Sequence, residues 1–178
     1  MSILFKGLKM GRMNLKNRVV MASLTRCRGD AENGSPNDLV REYYEQRAKH
    51  AGLILSEALP VRKDANPWPG ACAVYSDKSI DPWIKVLNSV HDQGSFMFAQ
   101  IFHGGRVVHP DLWGAEVLGP SPVAIPKLKA FVRGEFKPYT VPREMTQEDI
   151  TRTIEEFGLS SRNAKKAGFD GIVVHGCA

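Results

Sequence analysis

A chain of 178 residues that is 43% hydrophobic is long enough for one domain with a sizeable core. Its 24 Lys and Arg against 19 Asp and Glu give a net charge of +5, but the basic stretches at 41–49 and 162–166 alternate with acidic or apolar residues. That pattern excludes the single-sign stripe of a nucleic-acid binder, while a modest positive field suits an anionic cofactor. Three scattered cysteines, Cys27, Cys72 and Cys177, form no CxxC and argue against a disulfide frame or a zinc site. No stretch approaches a membrane span or a signal-peptide core, so the expectation is a cytoplasmic protein with no membrane and no nucleic-acid partner.

In chain order, residues 1–17 alternate and turn at Gly11-Arg12, which predicts a small hairpin laid across the floor of a barrel. "RVVMASL" at 18–24 is the first expected strand, closed by a polar turn. Ser35 and Pro36 then fit an N-cap and a first helical residue, with Leu39, Tyr43, Arg47 and Ala51 as the inward face. Gly52 closes that helix and "GLILSEAL" forms the second strand. A long turn, "DANPWPGAC", leads to a helix from Ile80 to Gln93 whose stripe is Ile80, Ile84, Leu87 and Val90. "SFMFAQIF" is the third strand. Six of the eleven prolines then fall between Pro110 and Pro142, so the 103–143 segment reads as a functional, lid-like loop rather than a plain connection. Thr146 opens the last helix with Asp149 in the capping-box place, and Ile150, Ile154, Phe157 and Ala164 form its stripe. Gly168 ends it before the fourth strand, "GIVVHG".

Strands apolar on both faces and joined by helices imply an α/β fold of parallel βα units over 18–178. Function in such folds sits at the C-terminal strand tips, which here carry Thr25, Glu57 with Ala58, Gln100 with His103, and His175. Small polar groups without a carboxylate pair suit a flat, neutral, hydrogen-bonding ligand. There is no GxSxG, HExxH or GxxxxGK[ST] to suggest hydrolysis or a phosphate loop. On local grounds Thr25 caps its turn, Gln100 divides evenly between structural and ligand roles, and His175 alone reads as a core histidine. "HGGR" at 103–106 reads as a tight turn. His103, His109 and His175 lack acidic partners at ligand spacing, so no metal is expected.

Taken together, "LFKGLKMGRMNLKNRVVMASLTR", "SEA", "PWPGA", "AQIFHGGR", "GPSP", "PREMTQEDI" and "RNAKKAGFDGIVVHG" resemble, in order, the N-terminal half of the Old Yellow Enzyme family. These are FMN-dependent NAD(P)H oxidoreductases, or ene-reductases, on a (β/α)8 TIM barrel. The resemblance implies a half-barrel of four parallel strands behind the hairpin. It also implies FMN as cofactor, NAD(P)H as reductant and a small-molecule substrate, an activated alkene such as an enone or a nitro compound. Thr25 matches the threonine bonding the flavin carbonyl, Ala58 a small backbone contact, and Gln100 the amide on the pyrimidine side. Ser23 and Leu24 match the backbone under the ring, and His175 the first donor to the substrate oxygen. Trp68 and Phe102 match aromatics of the substrate cavity.

Two departures accompany the likeness. "ASLTR" replaces "APLTR", and Ala178 stands where the second substrate donor belongs, with no proton-donating tyrosine after it. A truncated half of this kind lacks the family's phosphate loops, which follow strands seven and eight. It would then bind FMN poorly alone and need a second copy or a C-terminal half-barrel as partner. The alternative is a non-catalytic half-barrel serving as a binding or assembly module, or a split-gene subunit.

Overall fold

The computed structural model describes residues 2–176, so Cys177 and the second-donor position Ala178 lie outside the described residues. The hairpin is β1 (Leu8–Met10) against β2 (Met13–Leu15), turning through Gly11 at φ +57°. A positive φ there is cheap only for glycine. Met13 and Leu15 are buried against Leu53 and Phe96, residues that begin the second and third sheet strands. The hairpin therefore closes the N-terminal end of the sheet. Lys16 follows it and donates through Nζ to the carbonyls of Ala48 and Gln93, the latter at 2.7 Å, where a cation suits the negative ends of two helices. Burial lowers the Lys16 pKa.

The main sheet has four parallel strands in the order β10-β5-β4-β3, comprising β3 (Val20–Met21), β4 (Leu53–Pro60), β5 (Phe96–Phe102) and β10 (Gly171–Val174). The expected first strand over 18–24 shrinks to two paired residues. It lies at a sheet edge with β4 on one side, and beyond Met21 the chain continues without a ladder, reaching a positive φ at Cys27.

Helices α1 (Asp38–Ala48), α2 (Ile80–His91) and α4 (Gln147–Ala167) connect these strands. Their shared core holds Tyr44, Trp83, Leu87, Ile54, Met97 and Ile101, each worth about 1.5–3 kcal/mol when fully buried. The Trp83 indole N–H satisfies itself on the Ala73 carbonyl at 2.9 Å.

Expectations shift in all three of these helices. Asn37, not Ser35, caps α1, its side-chain oxygen accepting from the Val40 N–H at 3.2 Å. The face of α1 that turns inward is Val40, Tyr44 and Ala48, one residue on from the expected stripe, and Leu39 is 65% exposed. In α2, Trp83 and Val86 join Leu87 and Val90 in the core, while Ile80 and Ile84 are only half-buried. In α4 the capping box forms as expected, with Asp149 Oδ2 accepting from Thr146 N–H at 3.0 Å, and Gly168 ends the helix in the left-handed conformation. Its inward residues, however, are Ser160, Asn163, Ala164 and Ala167 toward the C-terminus, and Ile150 and Ile154 face outward.

The 103–143 segment is structured. It holds α3 (Pro110–Trp113), a two-residue parallel bridge of β6 (Leu118–Gly119) with β9 (Arg143–Glu144), and a hairpin of β7 (Lys129–Val132) with β8 (Glu135–Pro138). The Trp113 indole donates to the Asn66 carbonyl at 2.6 Å, and Lys63 lies 5.3 Å above the Trp113 ring. Those contacts place the segment beside the turn that leaves β4, on the side of the C-terminal strand ends.

Candidate functional site

Between Leu55 and Ala58 the β4–β5 register shifts by one residue, so Ser56 and Glu57 together oppose Ala99. A bulge re-aims side chains, and here it lies at the C-terminal part of the strand. The Ser56 hydroxyl takes the Gln100 N–H at 2.9 Å and itself donates to the Glu57 carbonyl at 2.7 Å. Ala58 resumes the pairing opposite Gln100, and its N–H donates to Thr25 Oγ1 at 3.3 Å. The Ser23 hydroxyl donates to Gln100 Oε1 at 2.8 Å. The extended segment after β3 is thus pinned to β4 and β5 through Thr25 and Ser23, leaving Leu24 57% exposed between them.

Trp68 stacks on Phe102 with ring centroids 5.5 Å apart and planes 29° apart. Phe102 is buried at the end of β5, whereas Trp68 is exposed in the turn after β4. A cavity of about 450 Å³ beside Trp68 is bounded by Cys27 and by Phe131, Phe136 and Tyr139 of the overlying hairpin segment. His175 follows β10, and its N–H extends the β5 ladder by donating to the Ile101 carbonyl at 2.9 Å. The structure therefore gathers Ser23, Leu24, Thr25, Ala58, Gln100, Phe102, Trp68 and His175 at the C-terminal end of one parallel sheet.

Glu57 points to the other side of β4 and is 1% exposed. Its carboxylate accepts from the Cys72 N–H at 3.2 Å and from the Arg26 N–H, and its own N–H donates to the Tyr44 hydroxyl at 2.7 Å. Burial pushes the Glu57 carboxyl up, and burial next to Glu57 pushes Tyr44 and Cys72 well up. Sequence reasoning placed Glu57 at a strand tip without a role. A polar "SE" inside an apolar strand was the available signal, because a buried polar group has to find partners.

His103 Nδ1 accepts from the Gly105 N–H at 2.9 Å, the tight turn expected of "HGGR". Burial, helped by Arg62, lowers its pKa to about 4, so the ring is neutral, and Nε2 is buried without a hydrogen-bond partner. Among the described residues no group of three or more His, Cys, Asp or Glu side chains is placed to hold a metal ion. No helix among them is long and apolar enough to cross a membrane.

Comparison with known proteins agrees with this fold. The model of the NADH:flavin oxidoreductase / NADH oxidase family matches residues 3–178. Flavin oxidoreductase hxnT of Emericella nidulans is 40% identical over 97% of this chain and 45% of its own length. A probable flavin mononucleotide-dependent alkene reductase of Leishmania infantum is 38% identical over 98% of the chain and 49% of its own. The old yellow enzyme homologue of Zymomonas mobilis superposes with a TM-score of 0.91 at 37% identity, covering 98% of this chain and 48% of that one. Morphinone reductase in complex with tetrahydroNAD gives 0.90 at 33% identity over 98% and 49%. The chain spans about half the length of the relatives it matches.

Proposed function

The chain belongs to the NADH:flavin oxidoreductase / NADH oxidase family, and on that premise we propose that it forms the pyrimidine-side half of an FMN site in an NAD(P)H-dependent reductase of activated alkenes. The observation that carries this reading is the pair of cross-links Ser23–Gln100 and Thr25–Ala58 at the sheet's C-terminal end. The donor set fits the group. The Gln100 amide spends its oxygen on Ser23 and has no acceptor for its N–H groups among the described residues, and the Thr25 oxygen accepts one bond while its own proton is uncommitted. These neutral donors suit the carbonyl- and nitrogen-rich edge of an isoalloxazine, with the backbone of Ser23 and Leu24 beneath the ring and Ala58 leaving room beside it.

When bound, FMN supplies hydride at N5 for the β-carbon of the alkene, with NAD(P)H as the source of electrons. His175 donates from its imidazole to the conjugated oxygen of an enone or nitro substrate, stabilising the negative charge that develops there. Thr25 would hold a flavin carbonyl through its uncommitted proton and so tune the electron demand of the ring. Trp68 and Phe102 form an apolar wall that excludes water from the transfer.

A second reading, an assembly module completed by another copy or by a separate half-barrel, is favoured by the outward Ile154 and Val174, each 66% exposed. One series separates the two. Titrated with FMN, the protein should perturb the flavin absorbance saturably, and Gln100→Ala should weaken binding about fivefold to tenfold, the worth of a neutral hydrogen bond. Under saturating FMN and NADPH, His175→Ala should slow reduction of cyclohexenone by about 10²–10³. A flavin spectrum indifferent to the protein at all concentrations overturns the first reading.

A further inference from the structure

The loop after Thr25 and the outer flank of α1 border a second pocket, of about 280 Å³ and open to solvent, with Arg26 and Arg28 exposed at its rim. Neither Thr25 nor Ala58 lines it, so it is separate from the Thr25–Ala58 contact. Three guanidinium groups line it, from Arg26, Arg28 and Arg47. Arg26 and Arg47 both sit over the face of Tyr43, their guanidinium carbons 4.1 and 3.7 Å from the ring centroid. Tyr43 thus anchors both side chains in the wall of the pocket. None of the three makes a salt bridge among the described residues: Arg47 spends one nitrogen on the Tyr43 carbonyl and the Gln46 amide oxygen, and Arg26 and Arg28 make no side-chain hydrogen bond at all. Arg28 is nonetheless held in place, because its carbonyl accepts from the Asn37 amide at 2.7 Å.

Two carboxylates share the lining, and both are engaged elsewhere. Glu57 turns its oxygens to the N–H groups of Cys72 and Arg26, and Glu42 Oε1 accepts from the Gln46 amide at 2.9 Å. The pocket is thus lined by three arginines without salt bridges among the described residues and by two carboxylates, a net positive charge, with the Arg26 charge acting on Glu57.

We infer that this cavity is a phosphate-binding site, taking inorganic phosphate or the phosphate group of a small ester on Arg26, Arg28 and Arg47. Three forks arriving from a loop and a helix match a tetrahedral dianion, which offers several oxygens, better than a planar carboxylate, which fills one fork. The ligand also offsets the net positive charge of the lining.

The test is calorimetric titration of the chain with inorganic phosphate in a non-phosphate buffer at about 10 mM ionic strength, where screening is weak. Arginine Nε–H resonances are followed in parallel by NMR. Saturable binding that shifts the Arg26, Arg28 and Arg47 signals is the expected result. Arg28→Gln should weaken it about tenfold or more, the worth of one charge-assisted hydrogen bond. Arg47→Lys, which keeps the charge and loses the fork, should fall between Arg28→Gln and wild type. Adenosine 2′-phosphate binding as well as phosphate identifies an ester source, inorganic phosphate binding alone identifies the free ion, and acetate should bind more weakly than either. Linear, unsaturable shifts, or wild-type affinity in a folded Arg28→Gln chain, overturn the site.

Discussion

Burying a carboxylate costs several kcal/mol unless its oxygens meet donors, and Glu57 meets three from two residues, the N–H and thiol of Cys72 and the N–H of Arg26. Both belong to loops that flank the strand ends, one carrying Thr25 and the other following Trp68. The bond from the Glu57 N–H to Tyr44 then ties the same bulge to the core of α1. Glu57 is therefore a positioning residue for the segment that carries Ser23 and Thr25, although it faces away from them. Its raised pKa follows from burial outweighing those bonds. Replacement should discriminate between charge and shape. Glu57→Gln keeps one acceptor oxygen and removes the desolvated charge, so it should change unfolding free energy by about 1 kcal/mol or less. Glu57→Ala leaves two buried N–H groups and a cavity, and should cost about 3 kcal/mol or more. Urea unfolding of the two variants checks this; equal losses would mean that the carboxylate does not organise these loops.

At the ends of elements the sequence signals are local. Thr146 with Asp149, Gly168 and Gly11 each act through their own backbone, so their motifs were legible before any tertiary structure. The four strand cores were legible for the same reason, being apolar runs bounded by turns. Helix faces were not. In α1, Leu39–Tyr43–Arg47 and Val40–Tyr44–Ala48 have identical spacing, and only packing against Trp83 and Ile54 selects the second. In α4, close approach to the sheet favours the small Ser160, Ala164 and Ala167 over the larger Ile150 and Ile154. The Ser56–Glu57 bulge escaped too, since the polar pair within the second strand signals buried partners but not a shift of register. The site residues carry no local chemical signature, and their grouping came from family likeness rather than from spacing.

One junction of elements titrates. His91, in the last turn of α2, places Nε2 2.9 Å from Asp170 Oδ2, which also accepts the Met97 N–H of β5 at 2.8 Å, and this bond raises the His91 pKa. A raised folded value means the stabilisation is complete below the unfolded value of about 6.5 and fades as pH rises through the folded one. The melting-temperature gap between wild type and His91→Gln should therefore narrow from pH 5.5 to pH 8.5. Partial exposure keeps the effect below about 1 kcal/mol. A gap that widens with pH would reverse the assignment.

At the scale of the whole molecule, the sheet is open on both sides. Among the described residues no strand pairs with the outer edge of β10 or of β3. Val20 is 49% exposed at one edge and Val174 66% at the other, and α4 carries Ile154 at 66% on its outward side. Unpaired parallel edges with apolar side chains template association with other chains. The hairpin covers only the N-terminal end of the sheet, and the 103–143 segment packs toward the opposite end, so neither blunts an edge. The chain should therefore self-associate as its concentration rises, and the process should be driven by apolar contact rather than charge. Sedimentation velocity should show a weight-average mass that climbs with concentration and is little changed by added salt, since screening weakens ionic contacts and not apolar ones. Lysines at the two outward positions, Val174→Lys with Ile154→Lys, should hold the chain monomeric at the same concentrations while leaving its helix content unchanged, because neither side chain enters the core. A wild-type chain that stays monomeric throughout would mean that its edges are closed in solution by segments of the chain itself.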